Sequence, residues 1–328
     1  MFEDRLHCYF CGMEGVPSKD VSNFSFVVEM KGMFDFLNRT FSLYQCKKCS
    51  MGLTFPSVKE HYISLLYDKP EARDVINDDV FVSQVRQFFF RREAQWWISW
   101  LGSDKAIEKG AEARLRHVLD FGTGSGLNAI ALENVLNDNW RVWACDFSSE
   151  TPLALSKNPQ ITYLSHKALE KCGQKFDCIH LRHILEHTPN PRAFLIRMWD
   201  LLSAGGTLFI EVPSLYPALH HFTMRYFQEL FQSNLPYHYC FFSSESLRDL
   251  LLETGFSFKI QSIDIPIMGR LLQARTGHLF AGKRYFPLFI LGIILYPLQW
   301  LYVRLTGVQP LIRILAWKKD KETIPGIE

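Results

Sequence analysis

Hydrophobic and polar positions between residues 117 and 265 predict strands and helices in turn. Short apolar runs predict buried strands, and longer segments with apolar residues three and four apart predict helices. The predicted strands cover 117–122, 141–148, 161–166, 175–183, 207–214 and 257–265. The predicted helices cover 127–138, 190–206 and 243–256. This alternation predicts an α/β fold in which an open parallel sheet carries helices on both faces.

Local signals set the ends of two of these helices. Ser243 or Ser244 begins the last helix and Gly255 ends it, and glycine ends the helix over 190–206. Before the sheet, residues 80–102 have apolar residues at helical spacing and predict an amphipathic helix that packs on the next domain. Its Phe and Trp side chains are expected in the core, although they could instead line a substrate entrance. These side chains are Phe88, Phe89, Phe90, Trp96 and Trp97.

A glycine-rich turn follows the first predicted strand. The segment D-F-G-T-G-S-G carries Gly122, Gly124 and Gly126, which let the backbone approach a ligand closely. A dinucleotide turn would need Gly or Ala at position 127, where this chain has Leu, so the pattern favours S-adenosylmethionine (SAM) over NAD. The second strand ends at Asp146, whose carboxylate can accept hydrogen bonds from both ribose hydroxyls.

The N-terminal region contains two C-x-x-C pairs. Cys8 and Cys11 form the first pair and Cys46 and Cys49 the second, with predicted ribbon strands between them. Four thiolates at two short knuckles match a structural, tetrahedral Zn²⁺ site and leave no open position for catalysis. A segment this small would depend on the metal for its folding. Four buried free cysteines, or a redox pair, are the alternatives.

Composition excludes some classes of function. The chain has 328 residues, a formal net charge of +2 and 48% apolar residues. A charge so close to zero argues against a nucleic-acid partner. The N-terminus lacks a charged segment followed by an apolar run, so we expect no secretory leader and a cytoplasmic protein. Paired cysteine spacing in a reducing compartment again favours metal ligands over disulfides.

Residues 117–256 resemble a class I SAM-dependent methyltransferase. The resemblance rests on the ordered stretches VLDFGTGSG, VWACDFS, KFDCIHLRHILEHTPNP, LLSAGGTLFIEVPS and HYCFFSSESLRDLLLETGF. It implies a Rossmann-like sheet and places Asp120 near the sulfonium and amino-acid end of SAM. Where family members often have an acidic residue facing adenine, this chain has Ser165-His166-Lys167. The implied cofactor-binding residues are Asp120, Gly122, Thr123, Gly124, Gly126, Asp146, Phe147 and His166.

Candidate catalytic residues follow the fourth strand. In H-I-L-E-H, His183, Glu186 and His187 would share one face if the segment were helical. His187 is the leading candidate for a base or substrate orienter, and bracing the loop is its structural alternative. The letters also match an inverted zinc-peptidase motif. Some ubiquinone-biosynthesis and small-RNA methyltransferases hold a divalent cation with Glu-x-x-Glu-His here, and His183 replaces the first Glu.

His238 is the second catalytic candidate, in P-Y-H-Y-C-F-F-S. The zinc knuckles together with this domain resemble bacterial methyltransferases of glycan and deoxysugar pathways. In deoxysugar C-methyltransferases the comparable position often has Glu before His, whereas this chain has Tyr237. Tyr237 and Tyr239 could stack on a flat acceptor. The alternative for His238 is that it caps the following helix.

Residues 285–303 contain no charge and are long enough for a membrane span. The class I fold ends with an antiparallel strand, which residues 310–319 fit. If the chain returns to the sheet, residues 285–303 cannot cross a bilayer once, so we expect a helical insertion, with a true span as the remaining alternative. It could lie in the membrane interface, cover an acceptor or contact a second copy.

The expected division of the chain has four parts: 1–58, a zinc-ribbon-like module that carries the four knuckle cysteines; 59–114, a linker and the amphipathic helix; 115–264, the SAM-binding core; and 265–328, the hydrophobic insertion and final strand. The leading function is methyl transfer to a sugar, glycan or lipid-linked small molecule. The alternatives are a peripheral-membrane O-methyltransferase of a quinone or lipid, and a non-catalytic zinc-ribbon adaptor. The oligomeric state and the acceptor atom stay open.

Overall fold

The computed structural model describes residues 5–15, 23–31, 40–59, 80–103, 115–215, 238–263, 294, 296–306 and 311–318. Most of the predicted linker, the charged connector over 104–114, Tyr237 and residues 285–293 lie outside the described residues. The described part contains two β-sheets of more than two strands. One belongs largely to the N-terminal module and the other to the predicted α/β core.

The N-terminal module consists of short antiparallel strands. In chain order they are β1 (Leu6–His7), β2 (Glu14–Gly15), β3 (Phe24–Lys31), β4 (Thr40–Cys46) and β5 (Gly52–Phe55). The expected ribbon is present, since β3 and β4 pair antiparallel with Phe24 opposite Cys46. Strand β5 extends this sheet, because it pairs with β4 and its residues Leu53 and Thr54 are buried.

The core alternates strands and helices. Its elements are α1 (Val80–Ser103), β6 (Arg116–Phe121), α2 (Leu127–Val135), β7 (Trp140–Asp146), α3 (Leu153–Ser156), β8 (Thr162–Ser165), α4 (His166–Leu169), β9 (Phe176–Arg182), a 3-10 turn (Leu185–His187), α5 (Pro191–Leu201), β10 (Leu202–Pro213), β11 (Cys240–Phe241), α6 (Ser244–Glu253), β12 (Phe256–Ile263), α7 (Tyr296–Thr306) and β13 (Leu311–Lys318). The predicted α/β class is confirmed.

Seven strands form the core sheet in the order β12-β13-β10-β9-β6-β7-β8. The pairs from β10 to β8 are parallel, and β13 runs antiparallel between β10 and β12. The final antiparallel strand predicted over 310–319 is therefore present as β13. In open sheets of this kind, ligands bind at the carboxyl ends of the parallel strands. We therefore expect the ligand site where β6, β7 and β9 end.

The helix predicted over 190–206 ends early. α5 stops at Leu201, Leu202 is already extended, and β10 begins there by pairing with Phe176 of β9. The predicted glycine cap is wrong: Gly205 and Gly206 lie in an irregular stretch of β10. A Cβ on Gly206 would come within 3.1 Å of the Phe176 carbonyl, so close strand pairing explains that glycine.

Helix α1 joins the core through its tryptophans. Trp97 is buried, with its ring centroid 4.4 Å from Phe209 and 4.8 Å from His180. Trp96 packs edge-on against Phe209. Core packing is thus the observed role of both tryptophans, whereas Phe88 is largely exposed.

Helix α7 presents an apolar surface to solvent. Leu298, Leu301 and Leu305 are exposed and follow one another at helical spacing, and Arg304 lies over the Trp300 ring. Among the described residues, none of the helices has the length and apolar character needed to cross a bilayer.

Candidate active site

The cofactor turn connects β6 to α2 and is held to β7 by its backbone. The N–H groups of Gly122 and Thr123 donate to the Cys145 carbonyl at 2.8 and 3.0 Å. Gly122 has φ +72°, and a Cβ there would overlap Cδ1 of Ile184. Gly126 begins α2 with φ +83° and abuts Leu155. Two of the three glycines are therefore required by conformation and by space.

Gly124 faces the open side of the turn. Within the described part of the chain, no atom lies within 4 Å of the place where its Cβ would be. Its N–H donates to Oδ2 of Asp146 at 2.8 Å, and the Phe147 N–H donates to Oδ1 at 2.7 Å. The structure thus brings Gly124, Asp146 and Phe147 together at the edge where β6 and β7 end. The Asp146 carboxylate retains lone pairs that can accept further hydrogen bonds from ribose hydroxyls.

Asp120 lies beneath the turn and is buried. Its carboxylate accepts hydrogen bonds from the Thr123 hydroxyl at 2.7 Å and from Nδ2 of Asn128 at 2.6 Å. Asn128 also lies 3.0 Å from Nδ1 of His180. Sequence reasoning missed Asn128 and His180. The available signal was a histidine inside an otherwise apolar strand, where a buried polar group requires partners.

The rings of Phe147 and His166 pack against each other near Asp146. Their ring centroids are 4.9 Å apart with 32° between the planes, and Phe147 is 66% exposed. Nη1 of Arg197 lies 2.5 Å from Nε2 of His166. Burial and the Arg197 charge lower the pKa of His166 below its usual value, which favours the neutral ring. Such a surface could pack against a nucleobase, at the position where family members often have an acidic residue facing adenine.

The loop after β9, residues 183–190, is called the acceptor loop, and it does not form an α-helix. His183 has φ +53°, an uncommon conformation for a residue other than glycine, and only Leu185–His187 form a single 3-10 turn. The condition under which His183, Glu186 and His187 would share one helical face is therefore not met. In this conformation the His183 ring lies between Glu186 and Glu211.

His183 belongs to a network of charged side chains. Its Nδ1 lies 3.3 Å from Glu186 and its Nε2 lies 3.2 Å from Glu211. Burial alone would lower the pKa of His183, but these carboxylates outweigh it and raise the pKa. Arg182 and Arg313 also pair with Glu211. The raised pKa favours the protonated ring, which is a poor proton acceptor.

Burial would raise the pKa of Glu211, yet Arg182 and His183 lower it to about 2. Arg182 and Arg313 also form ion pairs with Glu93 on α1. Desolvation lowers the pKa of Arg313 to about 10, so its guanidinium stays charged at neutral pH. The network thus ties α1 and β13 to the end of β9.

Glu186 and His187 of the acceptor loop form a second cluster together with His238, which precedes β11. The imidazole rings are 4.6 Å apart and perpendicular, and candidate ligand atoms of all three residues lie within 4.8 Å of one another. Within the described residues, Oε2 of Glu186 and Nδ1 of His238 are buried without a hydrogen-bond partner. Burial, with the charges of His187 and His183, lowers the pKa of His238 well below its usual value.

The residues after His238 differ in part from expectation. Ser243 caps α6 with a reciprocal capping box, so capping is not the role of His238, and Ser243 is the predicted N-cap. Tyr239 is buried and its hydroxyl donates to the Val58 carbonyl at 2.7 Å. The expectation that Tyr239 could stack on an acceptor is therefore wrong, because its ring is buried in the protein.

The four cysteines of the two knuckles converge. Sγ atoms of Cys8 and Cys49 are 3.4 Å apart, and those of Cys11 and Cys46 are 3.5 Å apart. A tetrahedral zinc with Zn–S bonds of about 2.3 Å separates its sulfurs by about 3.8 Å. Gly12 and Ser50 adopt positive φ, and each knuckle closes with an N–H donated back to its first cysteine. The donor set therefore fits a structural zinc ion, which remains a proposal.

Similarity to known proteins agrees with this geometry. A model of the methyltransferase-domain family matches residues 86–259, just over half of the chain. Ubiquinone biosynthesis O-methyltransferases of Coxiella burnetii strains are 30% identical over 115 residues, which cover 33% of this chain and 47% of theirs. The chain thus spans about half the length of the curated relatives it matches.

Two solved structures are also similar to the chain. The CurJ carbon methyltransferase is 15% identical with a TM-score of 0.41, over 66% of this chain and 52% of that chain. The YcgJ protein from Bacillus subtilis is 16% identical with a TM-score of 0.41, over 65% and 96%.

The family match covers the cofactor turn, the Asp146 strand and the acceptor loop. The core sheet is mostly parallel and contains the antiparallel final strand that the resemblance implied, here β13 beside β10. The chain belongs to the methyltransferase-domain family, and its core is a class I SAM-dependent methyltransferase domain.

Proposed function

We propose that the protein transfers the methyl group of SAM to a small-molecule acceptor, a sugar, glycan or lipid-linked compound. The observation that supports this most directly is the contact between the cofactor turn and the acceptor loop. Ile184 of the loop packs against Gly122 so closely that a Cβ would not fit. His187 follows Ile184 by three residues and packs against His238, so groups able to handle a proton belong to the loop that contacts the cofactor turn.

The residues divide the work as follows. The turn, Asp146 and the ring pair of Phe147 and His166 bind the cofactor, and Asp120 holds the turn from below. SAM supplies an electrophilic methyl group on a sulfonium, so no further activation of the leaving group is needed. His187, which is partly exposed, would orient the acceptor and take its proton as the acceptor atom bonds to the methyl carbon and the carbon–sulfur bond of SAM breaks. His238 fixes the His187 ring from the buried side.

A divalent cation is a variant of this proposal. Glu186, His187 and His238 would hold it, because they offer one carboxylate and two imidazoles with two buried atoms unpaired by the described residues. A cation there would activate an acceptor oxygen as a Lewis acid. Titration of zinc-loaded protein with Mn²⁺ tests this variant. We expect one additional site in the parent and none in His187→Gln, and equal binding by both would exclude it.

A quinone or lipid acceptor is the second candidate function. The curated relatives similar to this chain are ubiquinone biosynthesis O-methyltransferases, and α7 exposes an apolar stripe beside Arg304. Such a helix suits a membrane interface and would bring the site to a hydrophobic acceptor on the cytoplasmic face. The adaptor alternative has less support, because the turn and Asp146 have the geometry of a working cofactor site.

The acceptor is tested with the labelled methyl group of SAM. Purified protein, SAM carrying a ¹⁴C-methyl group, and separate sugar-nucleotide, glycan and lipid extracts of a deletion strain are incubated together. We expect label in one extract with the parent and none with His187→Gln. Mass spectrometry of the deletion strain should show the same compound lighter by one methyl group. Absence of label from all extracts would contradict the proposal, and label on a quinone or on a lipid that carries no sugar would favour the second candidate.

A further inference from the structure

The N-terminal four-cysteine module shares a strand with the acceptor site. Strand β11 pairs with β5 of the module, with Cys240 opposite Leu53 and Phe241 opposite Gly52. A Cβ on Gly52 would lie 2.6 Å from Leu215 and 3.0 Å from Phe241, so the two parts are in close contact. The module's four-stranded sheet is therefore completed by the segment that begins with His238.

Thr54 is the residue of β5 nearest to His238 in this joint. Its buried hydroxyl donates to the His238 carbonyl at 2.6 Å, and its N–H donates to the Tyr239 carbonyl at 3.1 Å. The Tyr239 N–H in turn donates to the Glu186 carbonyl at 2.8 Å. The peptide group between His238 and Tyr239 is thus held at both ends, by the module on one side and by the acceptor loop on the other.

Both knuckles reach this joint. Tyr9 lies within the first knuckle, and its ring packs edge-on against Tyr239 with a centroid separation of 6.4 Å. The Tyr9 hydroxyl is 2.8 Å from the Ser57 hydroxyl, in the segment that follows β5. Strand β5 begins three residues after Cys49 of the second knuckle. Both knuckles are therefore linked to the segment that carries His238, the first by the Tyr9–Tyr239 ring contact and the second through strand β5.

We infer that Thr54 is a positioning residue for His238, and that the four-cysteine module sets the geometry of the acceptor site. Holding the peptide restrains the backbone from which the His238 side chain projects, and the ring of that side chain packs against His187. The role of this geometry in methyl transfer rests on the proposed function. The positioning itself can be measured without turnover.

The test is the imidazole NMR spectrum of the full, zinc-loaded chain labelled with ¹⁵N-histidine. Thr54→Val removes the hydroxyl and preserves the shape of the side chain, and Thr54→Ser restores the hydroxyl. We expect Thr54→Val to move the ring signals of His238 and His187 while those of His117 and His166 stay in place. Thr54→Ser should keep the parent spectrum, and S-adenosylhomocysteine (SAH) affinity should be unchanged in both.

Thr254→Val is the matched control, because Thr254 is also buried and its hydroxyl also donates to a backbone carbonyl, that of Leu250 at 2.8 Å. It should leave the His238 and His187 signals unchanged. The inference is overturned if Thr54→Val leaves both signals in place, or if Thr254→Val moves them equally. It is also overturned if all four histidine signals move together, since Thr54 would then act on folding alone. A failure to find methyl transfer would leave this readout unaffected, so the two proposals fail separately.

Discussion

Gly122 is the residue at which the cofactor turn meets the acceptor loop. Its φ of +72° suits glycine, and Ile184 fills the space that a Cβ would need. Gly173 has a similar φ of +64°, but no described atom lies within 4 Å of its Cβ position. An alanine at either position would be strained by the positive φ, but only at Gly122 would its Cβ also clash with a neighbour. Comparing the two substitutions therefore distinguishes the cost of strain from the cost of the clash.

Gly173→Ala should lower the free energy of unfolding by about 1–2 kcal/mol, the cost of a side chain in the left-handed region. Gly122→Ala should cost more, because Ile184 must also move, and it should weaken SAH binding. Urea unfolding with and without SAH measures both effects. Equal losses in the two variants, with SAH affinity retained, would contradict the contact.

His166 should make stability depend on pH. Burial and Arg197 lower its folded pKa, while Glu170 and Asp146 act in the opposite direction. The unfolded histidine has a pKa of about 6.5 and takes up its proton first as the pH falls. The contribution of neutral His166 is therefore present above this value and is lost as the pH drops through the folded pKa.

His166→Phe isolates that contribution from those of the other histidines. Urea unfolding of parent and variant from pH 8 to pH 5.5 should show a difference in stability that changes below pH 6.5, with the parent losing more. SAH affinity of the parent should fall over the same range. A difference that is constant with pH would contradict the neutral ring beside Phe147.

The pairing of β5 with β11 makes metal removal visible at the acceptor site. Chelation of the zinc that we propose for Cys8, Cys11, Cys46 and Cys49 should lower the melting temperature. It should also move the His238 and His187 ring signals, because the module holds their backbone. SAH affinity should persist, since the turn belongs to the seven-stranded sheet. Metal content, thermal unfolding and calorimetry check this outcome, and chelated protein with an unchanged melting curve would contradict it.

Helix α7 should mediate binding to lipid if the second candidate function holds. In flotation with anionic vesicles, the parent should rise with the lipid, whereas the double variant Leu298→Glu and Leu305→Glu should stay at the bottom. Leu252→Glu on α6 is the matched control, because Leu252 is a similarly exposed leucine. A parent that does not float, or a control that behaves like the double variant, would exclude this contact.

The α/β core could be predicted from sequence because each strand and helix carries its own periodic pattern. The cofactor turn was predictable as well, since glycines and a carboxylate at the ends of adjacent strands meet at one edge of a parallel sheet. The acceptor loop was not predictable, because the left-handed His183 arises from its contacts with Glu186 and Glu211. No local signal in H-I-L-E-H indicates that conformation.

The joint between the module and the core was also missed. Strand β11 has only two residues, and its partner lies almost two hundred positions away in the chain. The expected division at residue 58 therefore separates parts that share one sheet, and the four-part division remains a proposal. Pairing of this kind depends on packing between distant segments, which periodicity does not report.

Binding of SAH to the zinc-loaded full chain, measured by isothermal titration calorimetry, tests the central claim most directly. One SAH per chain should bind the parent and the control Asp138→Ala, an exposed aspartate. Asp146→Ala should bind at least about tenfold more weakly, because the turn and the cofactor lose a charged hydrogen-bond acceptor. No binding to the parent, or equal binding by Asp146→Ala, would contradict a SAM site at this turn.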